Sequence, residues 1–281
     1  MATAHFELSS NAHSPSAAEI GAYLEGTWQR FRELFDVEPA FVRVVLRTLA
    51  QGEGAARADQ GGTASRLMAW TVKEGEDLGG PGFSDLSHEI AHIYFLDVMG
   101  RPEGLHQPHA WLHEAVACWH ESPPFREGRE RWIRERVHER FPLAQLFEMQ
   151  NPVKEQPLVE LTVKLHGELA RGEIEVVEMN RQISAWASSH AQDLMDAGVR
   201  NMTWYAQSLS VLEFLLEREG AAGVRELAAR LRAGSRMEAV LASRPLFPGG
   251  LPSIEEQWVR WLETSGTLPA AGIEPRDDSR D

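Results

Sequence analysis

The chain has 281 residues, 43% hydrophobic and 25% charged, the balance of an ordinary globular protein with length enough to bury a substantial core. Its 42 acidic against 28 basic residues leave a formal charge of −14, so no basic surplus exists to displace counterions from nucleic acid or to dock on an anionic membrane. The single cysteine, Cys118, excludes an intrachain disulfide, and no apolar run approaches the roughly 18 residues that span a bilayer.

The N-terminus has no basic segment followed by an apolar one, so no signal peptide is expected and the cytoplasm is the default location. Phe6 and Leu8 alternate with polar residues, as in a short edge strand. Ser16-Ala-Ala-Glu19 reads as a capping box. Behind it Ile20, Leu24, Trp28, Phe31 and Phe35 recur at three or four residues, the pattern of an amphipathic helix. Phe41-Val-Arg-Val-Val-Leu46 and Leu67-Met-Ala-Trp-Thr-Val72 are short and rich in β-branched and aromatic residues, and both are predicted strands. The second is a candidate sheet edge for pairing with an extended substrate. Residues 51–63 have no period and predict an exposed loop. In Gly75-Glu-Asp-Leu-Gly-Gly-Pro-Gly82 the glycines and Pro81 oppose regular structure, and the stretch is predicted to be mobile enough to gate a cleft.

Ser84 or Asp85 is a suitable N-cap for the next helix, which carries Leu86, Ile90 and Ile93 at helical spacing and stops at Gly100 and Pro102. A loop over 101–109 leads to a second helix from Trp111 to Trp119, halted by Pro123-Pro124. Residues 126–139 alternate in charge sign, which predicts a helix with a solvated face. Pro142, Pro152 and Pro157 break the middle of the chain, and 158–171 and 174–190 are helical without definite faces. From Met202, Trp204, Leu209, Leu212, Leu215 and Leu216 predict a buried helix ending at Gly220. Val224, Leu227 and Leu231 form one stripe of a short helix, and Ser253-Ile-Glu-Glu256 opens another that carries Trp258, Trp261 and Leu262. Residues 265–281 have the composition of a disordered tail. The expected fold is α+β: a small N-terminal mixed sheet with helices over 1–100, a mainly helical lobe over 101–264, then the tail.

The stretch with chemistry in it is His88-Glu89-Ile90-Ala91-His92, an H-E-x-x-H motif on a predicted helix. Four-residue spacing stacks the two imidazoles on one face, where they can hold one Zn²⁺, with Glu89 beside them to take a proton from a metal-bound water. A catalytic zinc takes three protein ligands and keeps a position open. Glu114, 22 positions beyond His92 on the next predicted helix, is the best third ligand. The bland reading of Glu114 is a first-turn acid complementing the helix dipole. Cys118, one turn further on, reads better as a small buried hydrophobe than as a group facing the metal. His106, His109 and His113 read as loop or surface histidines.

This motif, followed by Trp111-Leu112-His113-Glu114-Ala115-Val116-Ala117, resembles the gluzincin metallopeptidases, closest to the peptidase MA-like group, whose members show H-E-x-x-H and then W-L-x-E-G-x-A. Tyr205-Ala-Gln-Ser with Leu212 to Gly220 resembles the group's downstream Tyr-Ala helix, and Glu255-Glu-Gln-Trp258 its closing helix. The likeness covers roughly residues 5–263, with specific motifs only at 88–92 and 111–119; Ala115 stands where glycine is usual. The resemblance implies a zincin-like fold, Zn²⁺ held by His88, His92 and Glu114, and hydrolysis of a peptide or protein substrate with Glu89 as general base. It further implies Tyr205 as the donor to the oxyanion, ahead of His166 and His190. The alternative is a catalytically inactive zinc-binding protein of the same fold with a binding or scaffold role; the presence of Glu89 favours the enzyme.

Overall fold

The computed structural model describes residues 1–10, 15–49, 67–73, 75–100, 109–152 and 157–264. The loop expected at 51–63, most of that at 101–109 with His106, and the tail at 265–281 lie outside these residues.

Three strands, β1 (Phe6–Ser10), β2 (Val42–Leu49) and β3 (Leu67–Lys73), form one sheet in the order β1-β2-β3. Both pairings are parallel, with Phe6 opposite Val42 and Val44 opposite Met68. A mixed sheet was expected. The helix α1 (Ala17–Phe35) carries the chain back after β1, so β2 enters the sheet in the same direction as β1. Among the described residues, the one antiparallel pairing is an isolated bridge between Ala2 and Glu7. Alternate residues (Phe6 and Leu8, then Val42, Val44 and Leu46, then Met68, Trp70 and Val72) are buried, so one face of the sheet is core.

The capping box of α1 forms: Ser16 Oγ accepts from the Glu19 backbone N–H while the Glu19 carboxylate accepts from that of Ser16. The stripe Ile20, Leu24, Trp28, Phe31 and Phe35 is buried. The next helix, α2 (Pro81–Met99), starts earlier than the sequence predicts. Gly80 is its N-cap and Pro81 sits in the first turn, where a missing N–H costs nothing. The glycine-rich stretch before it is tied down. Glu76 accepts from the backbone N–H groups of Lys73 and Gly82, Trp70 Nε1 donates to Gly82 O (2.8 Å), and Ser122 Oγ donates to Gly79 O (2.9 Å). A Cβ at Gly80 or Gly82 would lie 2.8 Å from the Glu76 side chain. These two glycines therefore serve close approach, where the sequence predicts mobility.

The rest is helical: α3 (Ala110–Trp119), α4 (Pro123–Glu135), α5 (Leu143–Glu148), α6 (Pro157–Ala170), α7 (Val176–Ser189), α8 (Ala191–Arg232), α9 (Met237–Ala242) and α10 (Gly250–Thr264). In α3 every residue from Ala110 to Cys118 is buried. The helix predicted from Met202 is part of the longer α8, and Gly220, its expected end, is a break (φ 66°, ψ −177°) after which the helix resumes. Glycine tolerates this backbone at no steric cost. α8 packs on α1, α2, α3 and α4, and one continuous set of buried side chains runs from Phe6 to Leu262. Trp258 and Trp261 of α10 donate to Ser210 Oγ (3.2 Å) and Glu217 Oε2 (2.8 Å) of α8. No described helix is long and apolar enough to cross a membrane.

Candidate metal centre

The site is built on α2 and α3. Ser87 fixes the rotation of α2 against α1: its hydroxyl donates to Tyr23 Oη (2.7 Å) and lies 3.1 Å from Thr27 Oγ1. His88 and His92 then project together, with their Nε2 atoms 3.2 Å apart. Glu114 reaches them from α3, its Oε2 lying 3.2 Å from His88 Nε2 and 3.3 Å from His92 Nε2. The three atoms form a nearly equilateral triangle. A tetrahedral zinc with bonds of about 2.0–2.1 Å needs ligand atoms about 3.3 Å apart.

The donor set fits such an ion chemically as well. Glu114 Oε2 is buried and completes no hydrogen bond with either imidazole, while Oε1 accepts from Asn151 Nδ2 at 2.8 Å. A buried carboxylate oxygen aimed at two ring nitrogens needs positive charge there, from protonated imidazole or from a bound cation. Two imidazoles and one carboxylate are an ordinary zinc ligand set.

A second layer orients the first. His88 Nδ1 lies 2.9 Å from Glu121 Oε1, and Arg129 donates to that carboxylate through two bonds of 2.6 Å. In the neutral ring, an Nδ1–H donated to Glu121 leaves the Nε2 lone pair directed at Glu114 and His92. His88, Cys118 and Glu121 form a second group of potential ligands. It fits a metal less well. Arg129 and His88 already engage the Glu121 carboxylate, and burial pushes the Cys118 thiol up to about 11, so the thiolate does not form near neutrality. Cys118 is buried against the centre, in keeping with its reading as a small interior residue.

Burial opposes charge on His88, yet its contacts with Cys118, Glu114 and Glu121 outweigh that and hold its pKa well above the ordinary value. Burial likewise opposes the Glu114 carboxylate, but His92 and His88 hold its pKa well below the usual range. Both shifts favour positive charge beside the Glu114 carboxylate, on the imidazoles themselves or on a cation that replaces their protons.

Tyr205, on α8, comes to the same place. Its hydroxyl oxygen accepts from Asn151 Nδ2 (3.1 Å), its ring meets that of His88 edge-on with centroids 6.4 Å apart, and the Arg129 guanidinium lies 5.2 Å from its ring centre. Burial and the Glu114 charge raise its pKa far above the ordinary value, so the hydroxyl keeps its proton. Glu89 follows His88 on α2 and is half-buried.

Other expectations are corrected. His166 is exposed and bonds Thr162 O in its own helix; His190 stacks on Trp186 at the end of α7; neither joins the centre. His113 is buried edge-on to Phe95, because α3 is enclosed all round. His109 is the N-cap of α3 in the left-handed region. The face of α4 predicted to be solvated carries two inward arginines: Arg129 bonds Glu121, and Arg126 bonds Glu213. Arg126, Arg129 and the buried Ile133 lie at i, i+3 and i+7, and that stripe was the available signal. Nothing in the sequence singles out Glu121 or Asn151.

Comparison with family models, with curated proteins and with solved structures found no match.

Proposed function

We propose that the chain is a zinc-dependent peptidase of zincin-like, gluzincin type, with the ion held by His88, His92 and Glu114. The observation that carries this is the triangle of two Nε2 atoms and one carboxylate oxygen with edges of 3.2–3.3 Å. When bound, zinc would polarise a scissile carbonyl and lower the pKa of a water to about 7. Glu89 takes the proton of the attacking water on its carboxylate and returns it to the leaving amine nitrogen. Tyr205 keeps its phenolic proton and donates it as a hydrogen bond to the oxygen that becomes negative. Glu121 and Arg129 hold His88 in the tautomer that ligation needs. The β3 edge, joined to the first turn of α2 through Trp70 and Gly82, is where an extended peptide would add its backbone.

Metal analysis combined with hydrolysis of a broad peptide library tests the reading on wild type and Glu89→Gln. Expected is stoichiometric zinc in both proteins and cleavage by the wild type alone. Zinc in both without cleavage by the wild type would transfer support to an inactive binding or scaffold role, and protein purified without zinc that fails to take it up would sink both.

A further inference from the structure

Asn151 stands between α5 and α6, outside regular structure, yet the residue is only 7% exposed. Its amide nitrogen lies 2.8 Å from Glu114 Oε1 and 3.1 Å from Tyr205 Oη. The carboxylate is acceptor-only, so the amide must turn its N–H₂ towards Glu114 and not its oxygen. That nitrogen has two hydrogens, and the two contacts engage both. One goes to Glu114, the other to the Tyr205 oxygen.

The first bond bears on the ligand. Of the two Glu114 oxygens, Oε1 accepts from Asn151 and is held turned towards it, while Oε2 faces His88 Nε2 and His92 Nε2. A carboxylate ligates through one oxygen or through both, and the choice sets the coordination number. The second bond makes the Tyr205 oxygen an acceptor towards Asn151, so its own hydrogen must point away from the amide. We infer that Asn151 is a positioning residue: it restricts Glu114 to one-oxygen ligation and holds the Tyr205 hydroxyl beside that ligand with its hydrogen directed elsewhere. This rests on the metal-site reading above.

Cobalt(II) replaces zinc with a visible spectrum that reports coordination number, four-coordinate cobalt absorbing several times more strongly than five-coordinate. The wild type is expected to give the strong four-coordinate band. In Asn151→Ala the released Oε1 joins the metal, the band weakens severalfold, and zinc affinity, read by chelator competition, falls about tenfold. Asn151→Asp keeps the side-chain volume but sets an acceptor against an acceptor, so it should depart from the wild-type spectrum at least as far; it separates loss of the bond from loss of packing. Tyr205→Phe removes the second bond and the proposed oxyanion donor but leaves the bond to Glu114, so the cobalt band and zinc affinity should stay near wild type; a change as large as in the Asn151 variants would overturn the inference. Wild-type cobalt spectra and zinc affinity in both Asn151 variants would overturn the inference alone. A wild type that binds neither metal would overturn the metal-site reading first, whatever the variants do.

Discussion

His88 Nδ1 and Glu121 Oε1 are 2.9 Å apart, and Arg129 holds the same carboxylate through two bonds of 2.6 Å. The pair turns one defined ring nitrogen towards Glu114 and His92, so the proposed metal centre would depend on residues outside its ligand set. Glu121→Gln keeps the shape but loses the charge that draws the Nδ1–H. Zinc affinity should fall about 10- to 100-fold, measured against a chromophoric chelator. Unchanged affinity would show that the His88 tautomer is set by something else.

Glu89 is assigned chemistry and no metal bond. Glu89→Gln should retain stoichiometric zinc while hydrolysis drops by about 10²–10⁴-fold, the range for loss of a positioned general base. Parallel metal analysis and single-substrate kinetics on a cleaved library peptide read both at once. A proportionate loss of zinc would instead make Glu89 a ligand or a structural support.

Glu213 offers a test by pH away from the candidate metal centre. It is buried, its Oε1 accepts from Arg126 at 3.2 Å, and burial, aided by the charge of Glu130, lifts its pKa from 4.5 to about 7. A raised carboxylate pKa means that the folded state prefers the protonated form. The contribution to stability is fully present below pH 4.5 and is lost as pH rises through about 7. Glu213→Gln removes that dependence and keeps an acceptor for Arg126. Denaturant titrations from pH 5 to 8 should show a flatter profile for the variant, with a gain over wild type of roughly 3 kcal/mol at pH 8. Parallel curves for the two proteins would refute it.

Trp111 opens the helix that delivers Glu114. It is fully buried, its ring 4.8 Å from that of Phe147. Trp111→Ala should cost about 3–5 kcal/mol, read from the denaturant midpoint, because the surrounding helices close the cavity only in part. A loss below about 1 kcal/mol would mean that α3 is held mainly by its other neighbours.

The features legible in the chain are those that depend on near neighbours. The capping box of Ser16 and Glu19 closes over three residues, and helical periodicity alone stacks His88 on His92. Glu114 was legible as a candidate because its helix followed at short range, although its meeting with the imidazoles is a tertiary fact. Charge alternation along α4 reads as solvated surface, since i, i+3 spacing states which residues share a face and not what that face meets. Packing against α8 turned Arg126 inward to Glu213, and Arg129 turned to Glu121 at the end of α3.

Spacing along one helix thus determined the two imidazoles and the neighbouring carboxylate. Only the tertiary structure decided which atoms surround them. Glu121 stands 33 positions from His88, Asn151 stands 37 from Glu114 and Tyr205 stands 54 from Asn151, yet hydrogen bonds bring each pair together around the centre. A polar side chain in a buried site must find its partner wherever the fold brings one, and the distance along the chain carries no record of that choice.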